Sequence, residues 1–494
     1  MCYKIDINKN LLLEMEKYKV KCLILQMFFK NQAMKTKETF GSKVALVAAT
    51  VGSAVGLGNV WRFPAETQAN GGAAFLLIYI CCVFLLGVPV MLGEFALGRG
   101  IKEDAVGVYR RLAGKTPWWL AGTLPIIASY MILSFYIVVA GWTLEYFYYS
   151  ATGDLYSQGA AHSALEWGNA CDYQFKAKMA EYIQTDIKPL IFTFIVIIIN
   201  LFILIKGVKK GIGKISNILM PILFILLLLF CCVSLSLPKS MEGLKFFLSP
   251  DFSKITPMVF VNALGQAFFS LSLGMGVLIT YASYFPKDTK LVSTAITVSS
   301  LDLLVAVMMG VIIFPAVTSF GLTGENLEGA TLVFVTLPEV FAQMQFTCFW
   351  SALFFLLLFV AAITSTISIG EVTIKFFEDR FKLSRFVSCL LVMLPLFVFS
   401  TICSLSQGRL SDIKILEMTI FDALDASATN VLLPVGAIIM SIFIGWYVDK
   451  KLLKDELTNH GEFKSVFYPI VAFILKWIAP VLISLVLIAP LIKG

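Results

Sequence analysis

A chain that returns eleven times to an apolar run of 18 residues or more has few ways to fold. The runs lie at roughly 42–66, 73–98, 118–149, 188–205, 213–236, 257–284, 290–317, 344–378, 386–406, 416–447 and 465–491. Runs of this length cross the hydrocarbon core of a bilayer as helices, because each backbone polar group must find its partner within the segment. Of the 494 residues, 58% are hydrophobic and only 14% charged, which in water would leave large apolar patches exposed. The sequence therefore predicts an all-α, polytopic integral membrane protein. The third, eighth and tenth runs are long enough to tilt or to extend past the membrane.

The loops set the orientation. Lys35, Lys37 and Lys43 precede the first run, and Arg99, Lys102, Arg110, Arg111 and Lys115 follow the second. Lys206, Lys209, Lys210 and Lys214 follow the fourth, Lys375, Arg380, Lys382 and Arg385 the eighth, and Lys450, Lys451 and Lys454 the tenth. All fall on one side if the N-terminus is cytoplasmic, and eleven spans then put the C-terminus outside the cell membrane. This bias accounts for the net charge of +7 without a nucleic-acid partner. The loop 318–343 on the opposite side carries Glu325, Glu328 and Glu339 and no Lys or Arg. Ten cysteines without a C-x-x-C, and only two histidines, give no metal-site or disulfide pattern. Residues 1–36 read either as a cytoplasmic tail or as an extension upstream of a start at Met34.

Two runs contain residues that work against a continuous helix. The first carries VGSAVGLGNVWRFP at 51–64, and the sixth carries SLSLGMG at 270–276. A glycine inside a helix costs about 1 kcal/mol relative to alanine. Glycines also serve close helix packing in membranes. Here the two interrupted spans occupy matching places in two sets of five, 37–236 and 257–447, with 465–491 left over. Interruptions at corresponding positions of two inverted halves point to a substrate site at the bilayer midplane.

These stretches, together with NGGAAF at 70–75, FFSLSLGMGVLITYASY at 268–284 and AAITSTISI at 361–369, closely resemble the neurotransmitter:sodium symporter family. The likeness runs over residues 37–447, and eleven spans resemble the family's prokaryotic amino-acid branch. It implies a leucine-transporter-like fold: a five-plus-five inverted repeat with helices 1 and 6 unwound, plus an eleventh helix. The implied activity is sodium-coupled symport of hydrophobic or aromatic L-amino acids by alternating access.

The resemblance also implies a site, residue by residue. The substrate carboxylate would meet the N–H groups of Leu57 and Gly58 and the hydroxyl of Tyr136. The ammonium would face Ala54, Phe269, Ser270 and Ser272. Gly56 stands where amine-transporting relatives have Asp, which leaves room for a carboxylate. Ser53, Ile132, Tyr136, Phe269, Met275 and Ile369 would line the side-chain pocket. Its apolar wall favours a large apolar substrate, with the adaptable Met275 helping. A first sodium would be held by Ala54, Asn59, Ser270 and Asp302 with the substrate carboxylate. A second would be held by Gly52, Val55, Ala361, Thr364 and Ser365. Taken alone, Thr364 and Ser365 read equally as packing hydroxyls bonded to the preceding turn.

Asp302 is the only formal charge between Lys290 and Glu325. A buried carboxyl of this kind is either protonated and hydrogen-bonded or paired with a cation. Chloride-dependent relatives have Asn here and Ser one turn on. This chain has Asp302 and Ala306, and retains Tyr79 and Gln266, so two sodium ions and no chloride are expected.

Arg62 with Asp425 would form an outer gate. Lys37 with Asp379, assisted by Phe40 and Tyr284, would form an inner one. Lys37 also reads as an ordinary solvated charge, and it lacks the fork of the family's usual Arg. Gly211 and Pro221 match a Gly-x9-Pro pattern that lets helix 5 unwind; a simple proline kink is the other reading. Glu66, where relatives are often neutral, has no account in the sequence. The resemblance leaves two alternatives: a sodium symporter of a small polar solute or osmolyte, and a non-transporting sensor on the same scaffold. The spans offer no His and no paired catalytic arrangement, so an enzyme is excluded.

Overall fold

In the computed structural model, residues 38–156, 170–185, 187–322, 329–462 and 467–493 are described. The tail at 1–36 lies outside them, as do Lys37, Glu325 and Glu328. Each of the eleven predicted runs is helical. The first is split into α1 (Lys43–Ala54) and α2 (Gly58–Ala69), bent by 54°. The next spans are α3 (Ala73–Ile101), α5 (Trp119–Thr152), α7 (Lys188–Ile205) and α8 (Val208–Leu235), with a short α4 (Ala105–Ala113) before α5 and α6 (Ala170–Gln184) after it. After a short α9 (Ser240–Leu248), the sixth span is split into α10 (Pro257–Ser270) and α11 (Val277–Ser283). It is followed by α12 (Leu291–Ser319), α13 (Gly329–Ala342), α14 (Thr347–Phe381) and α15 (Arg385–Leu405). A small antiparallel hairpin, β1 (Lys414–Ile415) and β2 (Met418–Thr419), leads into α16 (Ile420–Tyr447). The chain closes with α17 (Lys450–Thr458) and α18 (Phe467–Ala489).

The short helices α4, α6, α9, α13 and α17 were not foreseen. None is both long and apolar enough to cross a bilayer, so a search for spans passes over them. The fifth span begins five residues earlier than the sequence suggested, in a π-helical turn at Val208–Ile212 that contains Gly211. The tenth begins four residues later, because Leu416 and Glu417 take positive φ in the hairpin.

Caps and breaks follow local chemistry. Ser42 starts α1 by accepting the Ala45 N–H at 3.1 Å, and Thr256 caps α10, with Pro257 in its first turn. α1 stops at Ala54 because Val55 is extended, at φ −70° and ψ 110°. The sixth span breaks at 271–276, where Ser272, Gly274 and Gly276 take φ of 54°, 78° and 72°. Gly274 suits that conformation because it has no Cβ, and its N–H donates to Glu94 Oε1 of α3 at 2.7 Å. The long helices α5 and α14 pack along one another and flank both breaks.

Candidate functional site

The two breaks leave backbone groups without helical partners, and polar side chains from α5, α12 and α14 converge on them. The Gly56 N–H donates to Asn59 Oδ1 at 3.2 Å, and the Leu57 N–H donates to Tyr136 Oη at 2.9 Å. Gly56 is pinned from outside as well. A Cβ there would stand 2.7 Å from Ser365 Oγ and 2.8 Å from Tyr136 Oη, so any larger residue must displace these two hydroxyls. Across the gap, Ser272 Oγ donates to the Ser53 carbonyl at 2.9 Å, joining the two broken spans.

Around Asp302 lies the first cluster. Asn59 Nδ2 donates to Asp302 Oδ1 at 2.9 Å and to Ser270 Oγ at 3.0 Å. Ser270 Oγ donates to Asp302 Oδ2 at 2.7 Å. Asp302 and Asn59 are fully buried. The carboxyl thus sits at mid-helix in a dry setting with polar neighbours and no basic partner among the described residues. Tyr79 lies beside Asp302 and Ser270, and Gln266 Nε2 donates to the Gly58 carbonyl at 3.2 Å. Ala54, the remaining member of the expected first set, is buried at the last position of α1.

The second cluster joins α1 to α14. Ser365 Oγ lies 3.2 Å from the Val55 carbonyl and 3.5 Å from that of Gly52. Thr364 Oγ1 lies 3.0 Å from the Ala361 carbonyl and 3.2 Å from that of Val360. The two hydroxyls therefore differ. Thr364 bonds to its own preceding turn, as a packing hydroxyl does. Ser365 reaches across to the broken end of α1. Apart from the Asn59 amide nitrogen, both clusters present oxygen atoms, a set that suits a hard cation.

Ser53, Ile132, Met275 and Ile369 are buried on the elements that flank the breaks. Phe269 is half-buried, and its ring lies 4.6 Å beneath the Arg62 guanidinium carbon. Arg62 acts on Asp425 at longer range, but no ion pair within 4 Å joins them among the described residues. Above Phe269 opens a cavity of about 230 Å³, lined by Arg62, Glu66, Asn262, Phe268, Phe269 and Asn430 among others. Glu66 now has a physical account. Its Oε2 accepts from Asn70 Nδ2 at 3.0 Å, and Asn70 Oδ1 accepts from Asn262 Nδ2 at 2.8 Å, which ties α2 to α10.

At the opposite end Phe40 is buried edge-on against Tyr281 and Tyr284. Tyr284 Oη donates to Glu371 Oε1 at 2.6 Å, and Arg385 grips Glu371 at 2.5 and 2.7 Å. Asp379 is bonded to Lys375 and to the Asp104 N–H. Its expected partner Lys37 lies outside the described residues. Glu94 and Glu371 were missed by the sequence reading, and Arg385 was counted only as a loop charge. Glu94 and Glu371 carry the same signal that drew attention to Asp302: an acidic residue inside a predicted span.

A model of the sodium:neurotransmitter symporter family matches residues 37–187 and 174–494. A Bacillus subtilis protein described as an uncharacterized sodium-dependent transporter, YhdH, is 36% identical over 451 residues, covering 90% of this chain and 96% of its own length. The Methanocaldococcus jannaschii protein MJ1319, described in the same terms, is 33% identical over 436 residues, covering 87% and 85%. The crystal structure of MhsT in complex with L-phenylalanine superposes with a TM-score of 0.81 at 38% identity. It covers 92% of this chain and 100% of MhsT.

Proposed function

We propose that this chain, which belongs to the sodium:neurotransmitter symporter family and is a sodium-dependent, multi-pass membrane transporter of a small molecule, imports hydrophobic or aromatic L-amino acids by alternating access and without chloride. The observation that carries this reading is the convergence of oxygen donors on two helix breaks, beside the Leu57 N–H and the Tyr136 hydroxyl. The substrate carboxylate docks on the N–H groups of Leu57 and Gly58, at the N-terminal end of α2, where the helix dipole favours an anion. Tyr136 turns its hydroxyl to the same carboxylate. The ammonium faces the oxygens of Ala54, Phe269, Ser270 and Ser272. The pocket wall of Ser53, Ile132, Phe269, Met275 and Ile369 takes an apolar side chain. MhsT, which shares the architecture, was crystallised with L-phenylalanine, and that supports this substrate class.

In this reading two sodium ions bind. Ala54, Asn59, Ser270 and Asp302 hold the first together with the substrate carboxylate. Gly52, Val55, Ala361, Thr364 and Ser365 hold the second. Because the carboxylate is itself a ligand of the first sodium, sodium and amino acid raise each other's affinity. Asp302 supplies the fixed negative charge that chloride gives to other relatives. Residues 37–236 and 257–447 act as the inverted halves, with the N-terminus cytoplasmic and the C-terminus outside. Arg62 with Asp425 closes the outer path over Phe269 once substrate is bound. The test is uptake of tritiated phenylalanine and tryptophan by purified protein in proteoliposomes. Uptake driven by an inward sodium gradient, absent with potassium and unchanged when gluconate replaces chloride, is the expected result. Sodium-driven uptake of proline or betaine in place of the aromatic amino acids would overturn the substrate class. Collapse in gluconate would overturn chloride independence.

A further inference from the structure

Lys375 is a buried cation of α14 that lies beside Tyr284. Its side chain is 9% exposed. Nζ bonds Asp379 Oδ1 at 3.1 Å and lies 5.0 Å from the centroid of the Tyr284 ring. The other oxygen of Asp379, Oδ2, accepts the Asp104 N–H at 2.8 Å. Each oxygen of that carboxylate therefore already has a donor. Helix stability does not explain the pair. A cation four residues before an anion is the weaker order for a helix, and Asp379 stands near the C-terminus of α14, where the dipole disfavours a negative charge. A buried ammonium is costly unless compensated, and a carboxylate with an aromatic face supplies the compensation. The aromatic ring belongs to Tyr284, which ends α11, the half-helix just past the break. Lys375 thus connects the long helix α14 to the short half-helix α11.

We propose that Lys375 is the cation of the inner gate, a positioning residue that clasps Asp379 of α14 to Tyr284 of α11. The clasp closes the inner path without needing Lys37. The proposal rests on the alternating-access reading for its consequence, but it can be tested without transport.

The experiment is hydrogen exchange on the full chain in detergent with sodium, following the peptides that contain Phe40 and Val277–Ser283. Lys375→Met keeps most of the buried stem and removes the charge. It is expected to raise exchange in both peptides about tenfold, while Lys375→Arg keeps them protected and Lys37→Ala leaves them as in the parent protein. In the uptake assay Lys375→Met is expected to lower kcat severalfold with less than a twofold change in substrate KM. A merely structural lysine would not give that split. Equal deprotection by Lys37→Ala and Lys375→Met, or full protection in Lys375→Met, would overturn the proposal. A failure of the amino-acid reading would leave the exchange result standing, so the two are distinguishable. Lys375→Gln, read by the same exchange, serves if the methionine variant does not fold.

Discussion

The two oxygen clusters solve one chemical problem in different ways. The first is built around a formal charge: Asp302 is fully buried, and among the described residues its polar company is Asn59, Ser270 and Tyr79. The second has no formal charge and relies on carbonyls exposed by the end of α1 and two hydroxyls of α14. A charged site depends on what neutralises it. An uncharged site depends on where its oxygens are held. The first should therefore respond most to removing a charge, and the second to moving backbone.

Asp302→Ala tests the charged side of that contrast and should have the largest effect. Breaking the buried pair that Asp302 forms with a bound sodium costs about 3–5 kcal/mol, or roughly 10²–10⁴-fold in equilibrium terms. Sodium-dependent binding of labelled amino acid should fall by that order. Asp302→Asn is expected to recover part of the uptake only when chloride is present. Recovery that ignores chloride would remove the idea that Asp302 replaces the anion.

Gly56→Ala probes geometry without touching charge. Its methyl would meet Ser365 Oγ and Tyr136 Oη at 2.7 and 2.8 Å, so both hydroxyls must move out of place. Overpacking of this kind costs about 1–3 kcal/mol, and sodium and substrate affinity are expected to fall together by roughly 10–100-fold. If only substrate affinity falls, Ser365 is not part of the sodium site.

Ser365→Ala should weaken the second cluster alone. A single hydrogen-bonding oxygen contributes about 1 kcal/mol, so the sodium concentration for half-maximal uptake should rise several-fold. Thr364→Ala is the sharper control, because Thr364 bonds its own turn. An equal rise for both would mean that they are ligands alike. A rise for Ser365→Ala alone would assign Thr364 to packing.

The contrast between the clusters also explains what the sequence revealed. Asp302 was legible because an acidic residue in an apolar run violates a simple cost. The breaks were legible because Gly56, Gly58, Gly274 and Gly276 interrupt two spans at matching places. The identities of the second cluster came only with the family likeness, since Thr364 and Ser365 in a helix are ordinary by themselves. Glu94 and Glu371 obeyed the same rule as Asp302, but nothing in the sequence says that one caps the broken sixth span and the other meets Tyr284 and Arg385. Lys375 was counted as one of the positive loop charges. Its burial depends on α11 lying against α14, a long-range contact that no local pattern encodes.

The same question extends to a carboxylate outside the spans. Asp104 is 1% exposed at the start of α4, where it accepts the Gly107 N–H and pairs with Arg380 at 3.1 Å. Burial pushes its carboxyl from about 3.8 up to about 6; Arg380 pulls the other way, and neighbouring Asp379 adds to the rise. Between those two values the native protein keeps a proton that the unfolded chain has released. Stability should therefore fall as pH rises through about 4 to 6 and level off above that window. Two units correspond to roughly 3 kcal/mol at most. Asp104→Asn keeps a good helix cap and should flatten this part of the curve, as read by thermal denaturation in detergent from pH 4 to 7. If stability in the parent protein instead rises with pH across this window and the substitution abolishes the rise, the ion pair with Arg380 outweighs burial at Asp104. A carboxylate at the membrane face would then already behave as a paired charge, and the cost assigned to the unpaired Asp302 would be specific to the interior of the bilayer.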